Sequence, residues 1–252
     1  VIDAKQFSEM VDSDTIQSLD ISMFSHKDMV NSVLQRSEVL FDLDHPGLPI
    51  RQWSNGDPRL LNKEIDERGT LYLRRVISAL YLEFQKLNPT LKTLPHERIA
   101  DIGCGYGFID LFIAREYGAS LTLIDLEDND ATHFGFKAKG AAYSSLETAK
   151  NFLIANGVPS SQVQTLNPDS SDPAKVKNID LAMSLLSCGF HYPVSTYANF
   201  WENSVKPDGA IILDLRGASG ETQLQELIQV GAVRSLWKGE KSHRILVQKF
   251  KN

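Results

Sequence analysis

Between Arg98 and Gly107 the chain reads R-I-A-D-I-G-C-G-Y-G, and no other stretch constrains its fold as strongly. Ile99 and Ala100 begin an apolar run and Asp101 interrupts it. Gly103, Gly105 and Gly107 then alternate with other residues before a helical apolar pattern starts at Phe108. Glycine belongs where backbone turns sharply, or where a ligand must approach without a Cβ in the way. A strand, such a turn and a helix in succession present free backbone N–H groups to a nucleotide-like ligand. The dinucleotide signature G-x-G-x-x-G crowds a pyrophosphate against the helix start. Here the spacing is G-x-G-x-G, with an acid two residues before the first glycine. Asp101 repels an anion and suits a ligand that carries an ammonium and a sulfonium, which points away from a dinucleotide.

The chain beyond the turn is consistent with that choice. Phe108, Leu111, Phe112 and Ala114 repeat at helical spacing, and Tyr117-Gly118 ends the helix. Ser120 to Asp125 reads as a short buried strand closing on an acid. Asp125 lies ~20 residues past the turn, the usual distance to a carboxylate that accepts ribose hydroxyls. Lys206 to Leu215, K-P-D-G-A-I-I-L-D-L, is a turn followed by an apolar strand. In this order, over roughly residues 97 to 250, these pieces resemble the class I S-adenosylmethionine-dependent methyltransferases. The lysine-proline turn is similar to the "KPGG" turn before their fifth strand.

The resemblance implies an α/β, Rossmann-like fold with a seven-stranded, mostly parallel sheet, one antiparallel strand and an N-terminal helical extension. It implies S-adenosylmethionine as cofactor. The backbone at Gly103, Gly105 and Gly107 would pass under its methionine and ribose parts. Asp101 would bind the amino group, Asp125 the ribose hydroxyls, and Leu126 would pack on the adenine. Asn167 or Asp169, at the end of the third strand, would meet the adenine amino group, with Asn167 preferred. Ser184, at the end of the fourth, completes the expected cofactor set.

The rest of the sequence is consistent with two parts, a helical cap over 1–95 and the cofactor-binding domain over 96–252. The 252 residues, 42% of them hydrophobic, suffice for one sizeable core with an appendage. Before residue 95 the pattern is helical. Its longest helix is expected over Leu61–Leu87, with Ile65, Leu71, Leu73, Val76, Ile77, Leu80 and Phe84 mostly on one face and Asn88-Pro89 as its stop. In the resembling family such helices cover the cofactor and build part of the acceptor pocket. Arg51 to Arg59, polar but for Trp53 and rich in turn signals, is a candidate substrate-facing loop. After Arg98, strands (98–102, 120–125, 162–167, 179–186, 210–215, 232–237, 244–250) are expected to alternate with helices (108–117, 144–156, 194–204, 220–230), the sign of a parallel sheet. The last two strands, joined through Gly239, form a hairpin that reverses one of them.

No apolar run approaches the ~18 residues of a membrane span. The first residues lack a basic and then apolar leader, and Val1 in place of a methionine fits a processed chain or a segment of a longer one. Cys104 and Cys188 are too few for a disulfide framework and form no zinc pattern, so reduced thiols in a cytoplasmic protein are expected, with no metal. A net charge of −6 argues against a broad nucleic-acid footprint.

Methyl transfer from a sulfonium is an in-line displacement. The protein must hold the acceptor atom close and, for a hydroxyl, take its proton. In the resembling family the loop after the fourth strand faces the transferable methyl. Amino-group methylases of nucleic acids place D/N-P-P-Y/F there, whereas this chain has Ser187-Cys188-Gly189-Phe190-His191-Tyr192-Pro193. His191 and Tyr192 are therefore the candidate catalytic residues, His191 as general base for a hydroxyl. The stretch Glu127–Tyr143, with His133, Phe134, Phe136, Lys137 and Lys139, suits a lid over a polar acceptor. Its acids Glu127, Asp128 and Asp130 read as a solvated turn in preference to a magnesium site. The G-F-x-x-K-G-A-x-Y and S-x-G-F-H-Y-P segments are similar to bacterial sugar O-methyltransferases, which implies a small-molecule or glycan hydroxyl as acceptor. The alternatives are methylation of RNA or protein, a non-catalytic cofactor-binding subunit, and a dinucleotide-binding oxidoreductase. The glycine spacing and the final hairpin count against the last.

Overall fold

The computed structural model describes residues 4–127, 144–217 and 219–251. Five helices come first: α1 Ala4–Val11, α2 Asp14–Gln17, α3 His26–Gln35, α4 Leu48–Ser54 and α5 Arg59–Leu91. The strands are β1 Arg98–Ile102, β2 Ser120–Ile124, β3 Val163–Leu166, β4 Ile179–Ser184, β5 Val205–Arg216, β6 Gly231–Lys238 and β7 Ser242–Lys249. Between them lie α6 Phe108–Tyr117, α7 Leu146–Ala155, α8 Ala198–Asn203 and α9 Gly220–Ile228.

The seven strands form one sheet in the order β3-β2-β1-β4-β5-β7-β6. β1 pairs in parallel with β2 and β4, β2 with β3, and β4 with β5. Only β7 runs the other way, antiparallel to β5 (Ile212↔Leu246) and to β6 (Val233↔Val247). Side chains alternate across a strand, and the central strands are apolar on both sides. Ile99, Leu181, Met183 and Ile212 enter one apolar cluster with α3, α5, α6 and α7. Ala100, Ala182, Ile211 and Leu213 enter another with Phe200, Trp201 and Leu227 of α8 and α9. The result is a three-layer sandwich whose first cluster also takes in Phe7, Ile16 and Leu61, so one core crosses residue 95.

Most element ends shift by one or two residues, and three differences go beyond that. α5 does not stop at Asn88-Pro89; it runs to Leu91, which is fully buried. Proline forfeits one helical hydrogen bond, and in the last turn that loss is offset by the anchored Leu91 and by Tyr117, whose hydroxyl donates to Asn88 Oδ1. β5 begins at Val205, not 210, with the lysine-proline turn absorbed as a bulge between Ile179↔Val205 and Leu181↔Ala210. Lys206 Nζ sits 2.5 Å from Asp180 Oδ1, and Asp180 Oδ2 accepts from Arg98 N–H, so one buried carboxylate fastens the entries to β1 and β5. The segment 194–204 is not a single helix; a 3₁₀ turn over Val194–Tyr197 precedes α8.

Candidate active site

The sheet's order reverses direction at β1, between β2 and β4, and the carboxyl ends of strands at such a switch point form a crevice for ligands. The glycine turn lies there. Gly103, Gly105 and Gly107 all have left-handed backbone, at φ +76°, +58° and +68°. Space is as restrictive as torsion. A Cβ on Gly103 would lie 1.9 Å from Ser187 Oγ, and one on Gly107 would lie 2.9 Å from Leu153 Cδ1. The turn is closed by Asp125, just after β2, whose Oδ2 accepts from Gly105 N–H at 2.7 Å and whose Oδ1 accepts from Leu126 N–H at 2.8 Å. A carboxylate has about four lone-pair positions, so capacity remains on both oxygens. Burial raises the Asp125 pKa to about 6 against the pull of those backbone donors.

Asp101 is buried, and its Oδ1 has no hydrogen-bond partner. Beside it stands Asp110 of α6, fully buried, with neither oxygen paired to a donor. Burial and mutual repulsion push Asp101 well above the usual carboxylate range, and burial takes Asp110 to about 7. Two such carboxyls cannot both ionise cheaply side by side, which favours a state in which the pair holds one shared proton. Sequence reading missed Asp110. The available signal was an acid inside the otherwise apolar run Phe108–Ala114, all of which is buried.

The turn is also clamped from the helical side. Tyr106 donates from its hydroxyl to Asp28 Oδ1 at 2.8 Å, and Gln35 Oε1 would lie 3.1 Å from a Cβ on Gly105. Asp28 is itself fixed by a reciprocal cap with Ser25 at the start of α3. The sequence contained that capping pair, but nothing in it showed which part of the sheet the helix would meet.

The loop after β4 forms the opposite wall. Ser184 is fully buried, donating to Ile102 O at 2.7 Å and accepting from Cys188 N–H at 2.8 Å, so it ties the loop to the end of β1. Leu186 adopts a left-handed φ of +54°, uncommon for such a side chain and held by its N–H bond to Asp214 Oδ2. Ser187 Oγ lies 3.0 Å from Tyr192 Oη, and Ser187 O accepts from His191 N–H at 2.7 Å. Burial holds the Tyr192 phenol well above its ordinary pKa. His191 is half-buried, its ring edge-on to Phe190 at 5.1 Å between centroids. Asn167, half-buried past β3, accepts from Asp169 N–H through Oδ1 at 2.9 Å, leaving its amide N–H₂ for another partner. Cys104 and Cys188 are buried thiols near the same strand ends, both pushed up by burial. Leu126 is half-buried beside Asp125.

The structure thus brings Asp101, the three glycines, Asp125, Leu126 and the Ser187–Tyr192 loop to the carboxyl ends of β1, β2 and β4. Asn167 follows β3, the next strand out. Trp53 and Arg51 belong to α4, so part of the expected substrate-facing loop is helical. The expected lid residues His133, Phe134, Phe136, Lys137, Lys139 and Tyr143, with Asp128 and Asp130, lie outside the described residues. No helix among the described residues is long and apolar enough to cross a membrane.

No protein-family model matches the chain, and neither does any curated protein. Solved structures do. SibL, an S-adenosylmethionine-dependent methyltransferase in its apo form, is similar over 73% of this chain and 59% of its own, at 14% identity and a TM-score of 0.49. A SAM-dependent O-methyltransferase of Thermotoga maritima is similar over 68% of this chain and 65% of its own, at 14% identity and 0.47. A 16S rRNA methyltransferase of T. thermophilus, in complex with AdoMet and guanosine, is similar over 62% and 35%, at 16% identity and 0.41. The chain therefore spans less than two thirds of each. The strand order, the single reversed strand and the glycine turn at the end of the first strand make this a Rossmann-like class I methyltransferase fold.

Proposed function

We propose that the protein transfers a methyl group from S-adenosylmethionine to a hydroxyl of a small polar or sugar-like acceptor. The observation that carries this reading is Asp101, a buried carboxyl beneath the glycine turn with an unpartnered oxygen. That arrangement rejects the phosphates of a dinucleotide and fits an ammonium. The other residues present fit the same molecule. Asp125 keeps acceptor capacity for two ribose hydroxyls, Leu126 offers an apolar edge, and Asn167 offers amide donors and a carbonyl beside the adenine place. When bound, the cofactor supplies an electrophilic methyl carbon on a sulfonium.

The chain's own residues do the rest. The glycine turn and the loop wall hold the acceptor in line, which is the larger part of the rate gain in such a displacement. His191 takes the hydroxyl proton as general base. Tyr192, neutral and joined to Ser187, orients the acceptor oxygen. Ser184 is a positioning residue that keeps this loop at the end of β1. The helical cap, through Tyr106–Asp28 and Gln35, shields the turn from water.

The test is incubation with methyl-labelled S-adenosylmethionine and an extract of source cells, followed by separation into small-molecule, glycan, protein and RNA fractions. Label in small molecules or glycans is the expected result. Label in RNA or protein overturns the acceptor assignment, and no label despite cofactor binding overturns the catalytic one.

A further inference from the structure

Arg216 is the last residue of β5. Its N–H donates to Gly189 O at 3.0 Å and its carbonyl accepts from Ser219 N–H at 3.1 Å, so it is pinned between the loop after β4 and the start of α9. Its guanidinium carbon stands 5.3 Å from the centroid of the Phe190 ring. Its Nη1 is closed off from solvent and has no hydrogen-bond partner. A guanidinium cannot shed its charge as a carboxyl or an amine does, so a buried donor of this kind calls for an acceptor.

Among the described residues, no acceptor for it is present. Asp214, two residues back, is taken by Arg244 through both oxygens, and Glu83 is shared between Arg244 and Arg36. Glu240 and Lys241, on the connection beside Gly217, are exposed, and Lys241 meets Gly217 through its backbone. Among the described residues, no carboxylate pairs with Arg216, whose guanidinium meets the acceptor loop only at the Phe190 ring.

The placement is informative. The loop from Leu186 to Tyr192 has the glycine turn on one side, where Ser187 faces Gly103, and the end of β5 on the other, where Asp214 holds Leu186. Arg216 touches this loop at two points, its N–H at Gly189 O and its guanidinium at the Phe190 ring, so a molecule lying along the loop would meet it. We infer that Arg216 forms an anion subsite and that the acceptor carries a carboxylate or a phosphate. The identity of this group as part of the acceptor rests on the methyltransferase reading; the anion subsite itself does not.

The experiment titrates the protein with inorganic phosphate and, separately, with propionate at constant ionic strength. The backbone amide signals of Gly189 and Arg216 are followed by NMR in the wild type and in Arg216→Gln. Saturable shifts in the wild type, weakened roughly 10–100-fold in the variant as expected for loss of a charge-assisted hydrogen bond, are the predicted outcome. A response to phosphate identifies a phosphorylated acceptor, and one to propionate a carboxylated one. Arg216→Lys, which keeps the charge, retains more affinity than Arg216→Gln; a purely packing role on Phe190 would not produce that order. Absence of saturable binding by either anion, or equal binding by wild type and Arg216→Gln, overturns the inference. S-adenosylmethionine binding is measured on the same samples: its absence beside intact anion binding refutes the proposed function and leaves the subsite standing.

Discussion

Asp125 follows β2 with both oxygens already accepting backbone N–H groups, so its removal loosens the turn as well as the proposed ribose contact. Asp125→Ala is expected to weaken S-adenosylmethionine binding by roughly 1–3 kcal/mol, the scale of a charge-assisted hydrogen bond. Calorimetric titration checks this, and unchanged affinity refutes the assignment. His191→Ala should lower turnover ~10²–10⁴-fold, the usual contribution of a general base, with cofactor affinity retained; near-normal turnover would leave His191 a loop residue. Asp110 makes a prediction about pH. Its folded pKa, about 7, lies above the ordinary carboxylate value, so its carboxyl's contribution to stability is full at acid pH and is lost as pH rises toward 7. Asp110→Asn removes the charge and keeps the shape. It should raise the melting temperature at pH 8, by ~2–8 °C for a gain of 1–2 kcal/mol, and change it little at pH 4. An equal shift at both pH values contradicts the shared proton. The left-handed glycine turn was legible in sequence, with Asp101 before it and Asp125 against it, because torsion and spacing act within a few residues. Asp110 was not, because its meaning depends on Asp101 one helical turn and a loop away.

Between elements, the joint that matters most is Arg36–Glu83–Arg244–Asp214, which links the end of α3, the middle of α5, β7 and β5. Asp214 passes the constraint on to Leu186. Glu83→Gln leaves two largely buried guanidinium groups short of a carboxylate and should destabilise the protein by about 3 kcal/mol, the cost of breaking a buried pair. Urea unfolding measures it; a loss below 0.5 kcal/mol, the ordinary scale of a surface change, would show that the network stabilises little. The helix and strand pattern was largely readable, since apolar periodicity is a local property. Its errors fall where distant partners decide. Leu91 carries α5 through Pro89, and pairing with Ile179 draws Val205 into β5 ahead of its own turn.

At the scale of the molecule, one apolar cluster includes Phe7 and Leu246, so the helical cap and the sheet should melt together. Single-tryptophan variants retaining either Trp53, on α4, or Trp201, buried on α8, should give coincident denaturation midpoints. Separated midpoints would divide the chain into independently stable parts. The strand order was not read from the sequence, because no local pattern encodes which strands become neighbours. The sheet also sets the order of events in synthesis. β6 is made before β7 yet lies outside it, with no partner until β7 has been inserted against β5. A growing chain can therefore assemble the glycine turn and its five parallel strands while β6 is still waiting as an unpaired ribbon. That interval, ended only by the last strand in the sequence, is when an exposed strand edge is open to the wrong partner.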